Sequence, residues 1–123
     1  LVMHLVEGFT IGLIFMLAHL VEHVDFPMPD ETGRLENNWA VHQLITTSNF
    51  AVESKVIGFL TGGLNFQVEH HLFPDVCHVH YPAISKIVEE TAKEYNLPYN
   101  QNKTFVKAVG SHIRFLNSMG RPA

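Results

Sequence analysis

A short run at residues 67–74, with the sequence QVEHHLFP, carries the residue types best suited to chemistry. In a helix, Gln67 would lie three residues before His70 and four before His71, so the three side chains would share one face. Neighbouring histidines diverge by about 100° around a helix, so this pair suits two metal ions, or two edges of one site, better than a single chelate. Imidazole binds iron, copper, nickel and zinc, so the run predicts a metal site without naming the metal. The alternative is a histidine pair on a surface loop.

Two further pairs have spacings that metal ligands use. Asn38 and His42 form an NxxxH pattern, which places an amide and an imidazole one turn apart on one helical face. The alternative is that His42 packs at an interface and Asn38 caps a helix. His19 and His23 are also four residues apart, but they stand at the end of an apolar helix. We interpret this second pair as interfacial or solvent-facing residues.

The other polar residues near the run are predicted to be structural. Cys77, His78 and His80 resemble a metal-binding fragment, but no second cysteine completes a tetrahedral set, which favours a turn. Glu69 lies next to the candidate ligands, and we expect it to point away from them into solvent. Asn65 is predicted to cap the helix that carries the run.

The elements that position these residues are predicted to be helices, so the fold class is all-α. Residues 1–24 contain two formal charges and are long enough to cross a bilayer core, which takes about 20 residues; a buried helix of a soluble protein is the alternative. Residues 36–58 are interpreted as an interrupted helix at the membrane interface, and Pro82 and Thr104 are predicted to begin two aqueous helices. The predicted domains are a transmembrane helix at 1–24, a metal-site region at 25–80 and a cytosolic helical cap at 81–123.

Composition limits the class of protein. The chain has 123 residues with 46% hydrophobic content, which excludes disorder and allows one domain. A net charge of -4 without a basic cluster argues against nucleic-acid binding. Six of the eight basic residues follow position 80, which suggests a membrane part and an aqueous part. Cys77 is the single cysteine, so no internal disulfide can form, which fits a reducing, cytoplasm-facing location.

The run at residues 67–74 resembles the third histidine box of membrane-bound fatty acid desaturases, in the variant whose first histidine is glutamine. That variant is found in front-end desaturases related to linoleoyl-CoA desaturase. Four flanking segments are similar to family positions as well: residues 39–50, 62–66, 77–82 and 96–99. The family's two earlier boxes, HxxxH or HxxxxH and HxxHH, are not identified in this chain, since we assign His19 and His23 to neither. We therefore expect the C-terminal part of a longer enzyme, inactive by itself.

The resemblance implies an oxygen-dependent fatty acyl desaturase that inserts a cis double bond with two iron ions and dioxygen. His70 and His71 match the terminal histidines of the box and are the implied iron ligands. Gln67 takes the place of the first histidine, and would bind iron directly, bind it through water or orient a neighbour. His42 and Asn38 resemble the NxxxH pair of stearoyl-CoA desaturases, in which the histidine is a ligand and the asparagine reaches the metal through water.

The same resemblance implies the partners. The substrate is expected to be a fatty acyl chain on CoA or on a lipid, and the electron donor cytochrome b5 or a ferredoxin. The protein is expected to be integral to a membrane, with its active site facing the cytoplasm. An apolar channel for the acyl chain is expected to involve Trp39, Phe50, Phe59, Phe66 and Leu72. The alternatives are a sphingolipid desaturase or membrane hydroxylase of the same superfamily, or a non-catalytic, membrane-associated metal-binding module.

Overall fold

The computed structural model describes residues 1–121, and most of the secondary structure in them is helical, which confirms the predicted fold class. The helices are α1 (Val2–His19), α2 (Trp39–Thr46), α3 (Lys55–Leu60), α4 (Gln67–Leu72), α5 (Tyr81–Glu94) and α6 (Phe105–Met119). Two short strands, β1 (Ser48–Phe50) and β2 (Asn100–Asn102), and a 3₁₀ turn at His78–His80 complete the fold.

Helix α1 is long and apolar enough to cross a membrane. It has 18 residues, a mean hydropathy of 1.6, and only 11% of its residues are buried. The buried residues, Leu17 and Ala18, lie at its C-terminal end. The helix therefore projects from the rest of the chain and packs against it only through its last turns.

The prediction of an interrupted helix over residues 36–58 is wrong for the middle of that range. Helix α2 ends at Thr46, and β1 follows with all three of its residues buried. Strand β1 pairs in parallel with β2, with Ser48 opposite Asn100 and Phe50 opposite Asn102. A buried segment must find partners for its backbone polar groups, and the distant β2 supplies them. The sequence pattern could not show this pairing, because the two strands are about 50 residues apart.

Two hydrophobic clusters surround helix α4 (Gln67–Leu72), called the box helix below, and strand β1. The first contains Leu17, Ala18, Phe50, Ala51 and Ala108, and so joins α1, β1 and α6. The second contains Leu44, Val68 and Val88, and so joins α2, α4 and α5. Because α4 contacts β1 as well as α2 and α5, the first cluster can position α1 against the box helix.

Both helices of the predicted cap, α5 and α6, begin where the sequence predicted. Pro82 lies in the first turn of α5, and the Thr104 hydroxyl accepts a hydrogen bond from the backbone N–H of Lys107 at 3.2 Å, which caps α6. The division into domains at 1–24, 25–80 and 81–123 stays a prediction. The last two positions of the predicted cap, 122 and 123, lie outside the described residues.

The turn before α4 contains two adjacent glycines, and we expect alanine at each of them to reduce the stability of the protein by clearly different amounts. Gly62 and Gly63 both have positive φ, at +59° and +83°. A Cβ on Gly63 would lie 2.7 Å from the His78 Cβ, whereas a Cβ on Gly62 would have no neighbour within 4 Å. We expect Gly62→Ala to cost about 1 kcal/mol from backbone strain and Gly63→Ala roughly 2 kcal/mol more, because His78 must move. Thermal unfolding of the two variants measures the difference, and equal melting temperatures would contradict the close packing.

Candidate metal centre

The box helix α4 is short, and a side chain from elsewhere in the chain caps it. Its six residues end before Pro74, which limits the helix. The predicted cap by Asn65 is wrong, because the Asn65 amide accepts from the Thr61 hydroxyl at 3.3 Å and donates to the Ala51 carbonyl at 3.4 Å. Instead, Asn49 Oδ1 in β1 accepts the backbone N–H of Val68 at 2.8 Å. The strand thus satisfies a free N–H in the first turn of the box helix.

Glu69 is fully buried, which corrects the prediction that it faces solvent. Its Oε2 accepts from Asn49 Nδ2 and its Oε1 from the Tyr99 hydroxyl, each at 2.8 Å. Asn49 Nδ2 also lies 2.8 Å from the Tyr99 hydroxyl oxygen, so the three side chains form one network. Burial raises the pKa of the Glu69 carboxyl, and the two hydrogen bonds oppose that rise. The side chain points away from the histidines, as expected, but into the interior of the protein.

His71 is held on both sides of its ring. Its Nδ1 lies 2.7 Å from Gln43 Oε1 in α2, and its Nε2 lies 3.4 Å from Gln67 Nε2. Burial, followed by the neighbouring His19 and His70, lowers the pKa of His71 to about 4. The ring is therefore neutral at pH 7, which is the form that binds a metal ion.

His19 joins the same group, although the sequence pattern predicted no metal role for it. Its Nε2 lies 3.5 Å from Gln67 Nε2, and the centroids of the His19 and His71 rings are 5.0 Å apart. Its Nδ1 faces the Thr46 carbonyl at 3.5 Å. His23, the other member of the HxxxH pair, is exposed. The only signal in the sequence was the ligand-like spacing of the pair, which does not show which member meets the box.

Helix α6 contacts the chain at the end of α1, directly after His19. His112 Nδ1 lies 2.7 Å from the Leu20 carbonyl oxygen, and the backbone N–H of Glu22 donates to the Ser111 hydroxyl at 3.1 Å. The Glu22 carboxylate also pairs with Arg114 at 2.8 Å. These contacts hold in place the residues that directly follow His19. Helix α6, as well as α1, therefore determines where the His19 ring lies.

His70 faces a different side of the box helix. Its Nδ1 lies 3.3 Å from the Tyr81 hydroxyl at the start of α5. The centroids of the His70 and His71 rings are 6.0 Å apart, with an interplanar angle of 72°. The two adjacent histidines thus diverge, as helical geometry predicts.

The Asn38 and His42 pair makes no hydrogen bond or ring contact with this group in residues 1–121. Asn38 is exposed and caps α2, with its Oδ1 accepting the Val41 N–H at 3.0 Å. His42 Nδ1 is buried and has no hydrogen-bond partner within residues 1–121. Over the same residues, no hydrogen bond or ring contact joins His42 to Gln67 or His71. The roles of Asn38 and His42 therefore stay predictions, and the cap geometry of Asn38 agrees with the alternative weighed for it.

The five residues expected to line an acyl channel do not share one cavity, because Phe59 and Phe66 border a cavity other than the one that Trp39 and Leu72 line. Phe50 and Phe66 are buried in the packed interior, and Phe59 is 86% exposed. Trp39 and Leu72 line one mainly apolar cavity of about 410 Å³ between α2, α4 and α5. That cavity adjoins the C-terminal end of the box helix.

The chemistry of these side chains fits part of a metal shell. The imidazoles of His19 and His71 direct Nε2 towards the Gln67 carboxamide, and His42 Nδ1 is a further buried nitrogen without a partner in residues 1–121. In the described part of the chain, no three His, Cys, Asp or Glu side chains lie close enough to hold one metal ion. These residues would thus hold a metal only together with additional ligands.

Comparison with known proteins identifies the family. Residues 1–103 match the family model for fatty acid desaturases. An acyl-lipid (8-3)-desaturase of Physcomitrium patens is 47% identical over 116 residues, which are 94% of this chain and 24% of that protein. An sn-1 linoleoyl-lipid 6-desaturase of Synechocystis sp. is 40% identical over 121 residues, 98% of this chain and 34% of that protein. An acyl-lipid (8-3)-desaturase of Mortierella alpina is 40% identical over 116 residues, 94% of this chain and 26% of that protein.

The chain spans about a quarter to a third of the length of these curated relatives. No solved structure gives a significant match. The match to the family model covers the apolar helix, the histidine box and the first cap helix, α5. The chain therefore belongs to the fatty acid desaturase family.

Proposed function

We propose that this chain forms part of an oxygen-dependent acyl-lipid desaturase of the front-end type. The observation that carries the proposal is the convergence of His19, Gln67 and His71, from two segments 48 residues apart, at the box that resembles the family's third histidine box. The names of the relatives favour a lipid-linked acyl substrate over acyl-CoA, since the Physcomitrium, Synechocystis and Mortierella proteins are all acyl-lipid or linoleoyl-lipid desaturases.

The proposed centre contains two iron ions, with part of the ligand set on this chain. When bound, such a centre supplies the oxidising power that hydrogen removal from an unactivated C–H bond requires, with dioxygen as co-substrate. His19 and His71 present their Nε2 atoms, and His70 presents its ring to a second edge. Gln67 contributes a carboxamide, which is a weaker donor than imidazole. His42 is proposed as a further ligand and Asn38 as a residue that contacts the ligands.

The proposed location follows from α1 and Cys77. The 18-residue apolar helix would span the membrane, and strand β1, which contacts the box helix, packs on the C-terminal end of α1. Cys77 is free and exposed, which suits a reducing compartment, so we place this end of α1 on the cytoplasmic side. Cytochrome b5 or a ferredoxin would deliver electrons there.

Expression of the full-length protein in yeast supplied with a defined polyunsaturated fatty acid tests the proposal. We expect a new cis double bond between an existing bond and the carboxyl end, detected by gas chromatography and mass spectrometry of the lipids. A His71→Ala variant is the control and should leave the lipids unchanged. Unchanged lipids in cells that contain folded, iron-loaded wild-type protein would refute desaturation, and an added hydroxyl group would identify a hydroxylase instead.

A further inference from the structure

Helix α2 presents two hydrogen-bond acceptors to the histidines of the centre. Gln43 Oε1 lies 2.7 Å from His71 Nδ1, and the Thr46 carbonyl oxygen lies 3.5 Å from His19 Nδ1. Thr46 is the last residue of α2, so its carbonyl has no partner within the helix. Both contacts are made to the Nδ1 side of a ring whose Nε2 faces Gln67.

The acceptor at Nδ1 determines which nitrogen of the histidine ring carries the hydrogen and which one keeps a free lone pair. A neutral imidazole carries one N–H and one lone pair, and an acceptor at Nδ1 holds the hydrogen there. The lone pair is then on Nε2, which for His71 lies 3.4 Å from the Gln67 amide. Without the acceptor at Nδ1, the hydrogen could move to Nε2, and the lone pair would point away from the centre.

We propose that Gln43 is a positioning residue that fixes His71 as the Nδ1–H tautomer and so directs its Nε2 lone pair into the metal centre. This inference rests on the proposed function, since it gives Gln43 a role in iron binding. The short distance to Gln43, compared with the long contact between His19 and Thr46, indicates that the fixed ring is that of His71. Gln43 is half-buried, so its side chain is partly shielded from competing water.

Three variants of the full-length enzyme test the role of the acceptor. Gln43→Leu keeps the approximate volume and removes the acceptor, whereas Gln43→Glu keeps an acceptor that cannot donate. Gln101→Leu changes an exposed glutamine in β2 and is the matched control. We expect Gln43→Leu to weaken iron binding about 10- to 100-fold in competition with a chelator, as is typical when a partner of a metal-ligating histidine is lost. In Gln43→Glu and Gln101→Leu, the affinity for iron should stay within about threefold of the wild-type affinity. That change is small compared with the 10- to 100-fold loss expected for Gln43→Leu.

A second measurement reports the tautomer directly, without iron or turnover. In metal-free enzyme labelled with ¹⁵N-histidine, the ring nitrogen shifts show which nitrogen of His71 carries the hydrogen, with His71→Ala used to assign the signal. We expect Nδ1–H in the wild type and in Gln43→Glu. If Gln43→Leu does not fold, the tautomer of the wild type and the iron binding of Gln43→Glu still test the role of Gln43, because an Nε2–H wild type or a large loss of iron binding in Gln43→Glu would overturn it.

The outcomes separate this inference from the proposed function. Undiminished iron binding in Gln43→Leu, an equal loss in Gln43→Glu, or an Nε2–H tautomer in the wild type would each overturn the role of Gln43. Full iron binding by His71→Ala would instead refute the proposed metal site itself.

Discussion

Replacing His19 by alanine in the full-length enzyme is expected to abolish desaturation and to remove much of the bound iron. The His19 Nε2 and the His71 Nε2 converge on the same Gln67 amide, at 3.5 Å and 3.4 Å. Loss of one of two imidazoles should weaken metal binding by about two orders of magnitude or more, since loss of a ligand's hydrogen-bond partner already costs 10- to 100-fold. Iron per protein and new double bonds in the lipids are the measurements.

His23→Ala is the matched control for this prediction. His23 follows His19 by four residues and is exposed, so its loss should leave iron content and product unchanged. His42→Ala adds a comparison, because the resemblance implies that His42 is also a ligand. Full activity in His19→Ala, or equal losses in His19→Ala and His23→Ala, would contradict the placement of His19 in the centre.

The second large effect is expected from Asn49→Leu, which should destabilise the protein by roughly 3 kcal/mol or more. Asn49 is fully buried and makes three hydrogen bonds, to the Glu69 carboxylate, the Tyr99 hydroxyl and the Val68 N–H. Leucine has a similar branched shape, although it is larger, and would leave a buried carboxyl and a backbone N–H without this partner, and each such group costs about 1–3 kcal/mol, or more if charged. The melting temperature of the purified full-length enzyme should fall by several degrees.

Two other variants make this prediction specific. Asn117→Leu, at an exposed position of α6, should change the melting temperature little. Tyr99→Phe should have an intermediate effect, because Glu69 keeps its bond to Asn49. A melting temperature of Asn49→Leu equal to that of Asn117→Leu would show that the buried network does not stabilise the box helix.

Local signals in the sequence predicted most of the helices and their starts. Apolar content identified α1, Pro82 and Thr104 marked the starts of α5 and α6, and the box run correctly predicted a short helix ending before Pro74. These features depend on residues within one or two turns of each other, so periodicity and capping rules are sufficient to find them.

The wrong predictions around the box helix have a common cause. Glu69 was expected in solvent and Asn65 at a cap, and strand β1 was not predicted at all. All three depend on β1, whose Asn49 reaches the box helix and whose backbone pairs with β2. Such partners are far away in the chain, and no local pattern records them.

The sequence by itself determined the family and the types of residue at the proposed metal centre, because a run of eight residues holds an amide, two imidazoles and the proline that ends their helix. Only the tertiary structure decided which other side chains meet them. The packing of α1 against β1 and α6 brings His19 to Gln67, and α2 brings Gln43 to His71. The physical reason is that a helix pattern specifies which face is apolar, whereas the meeting of two faces depends on every element packed between them.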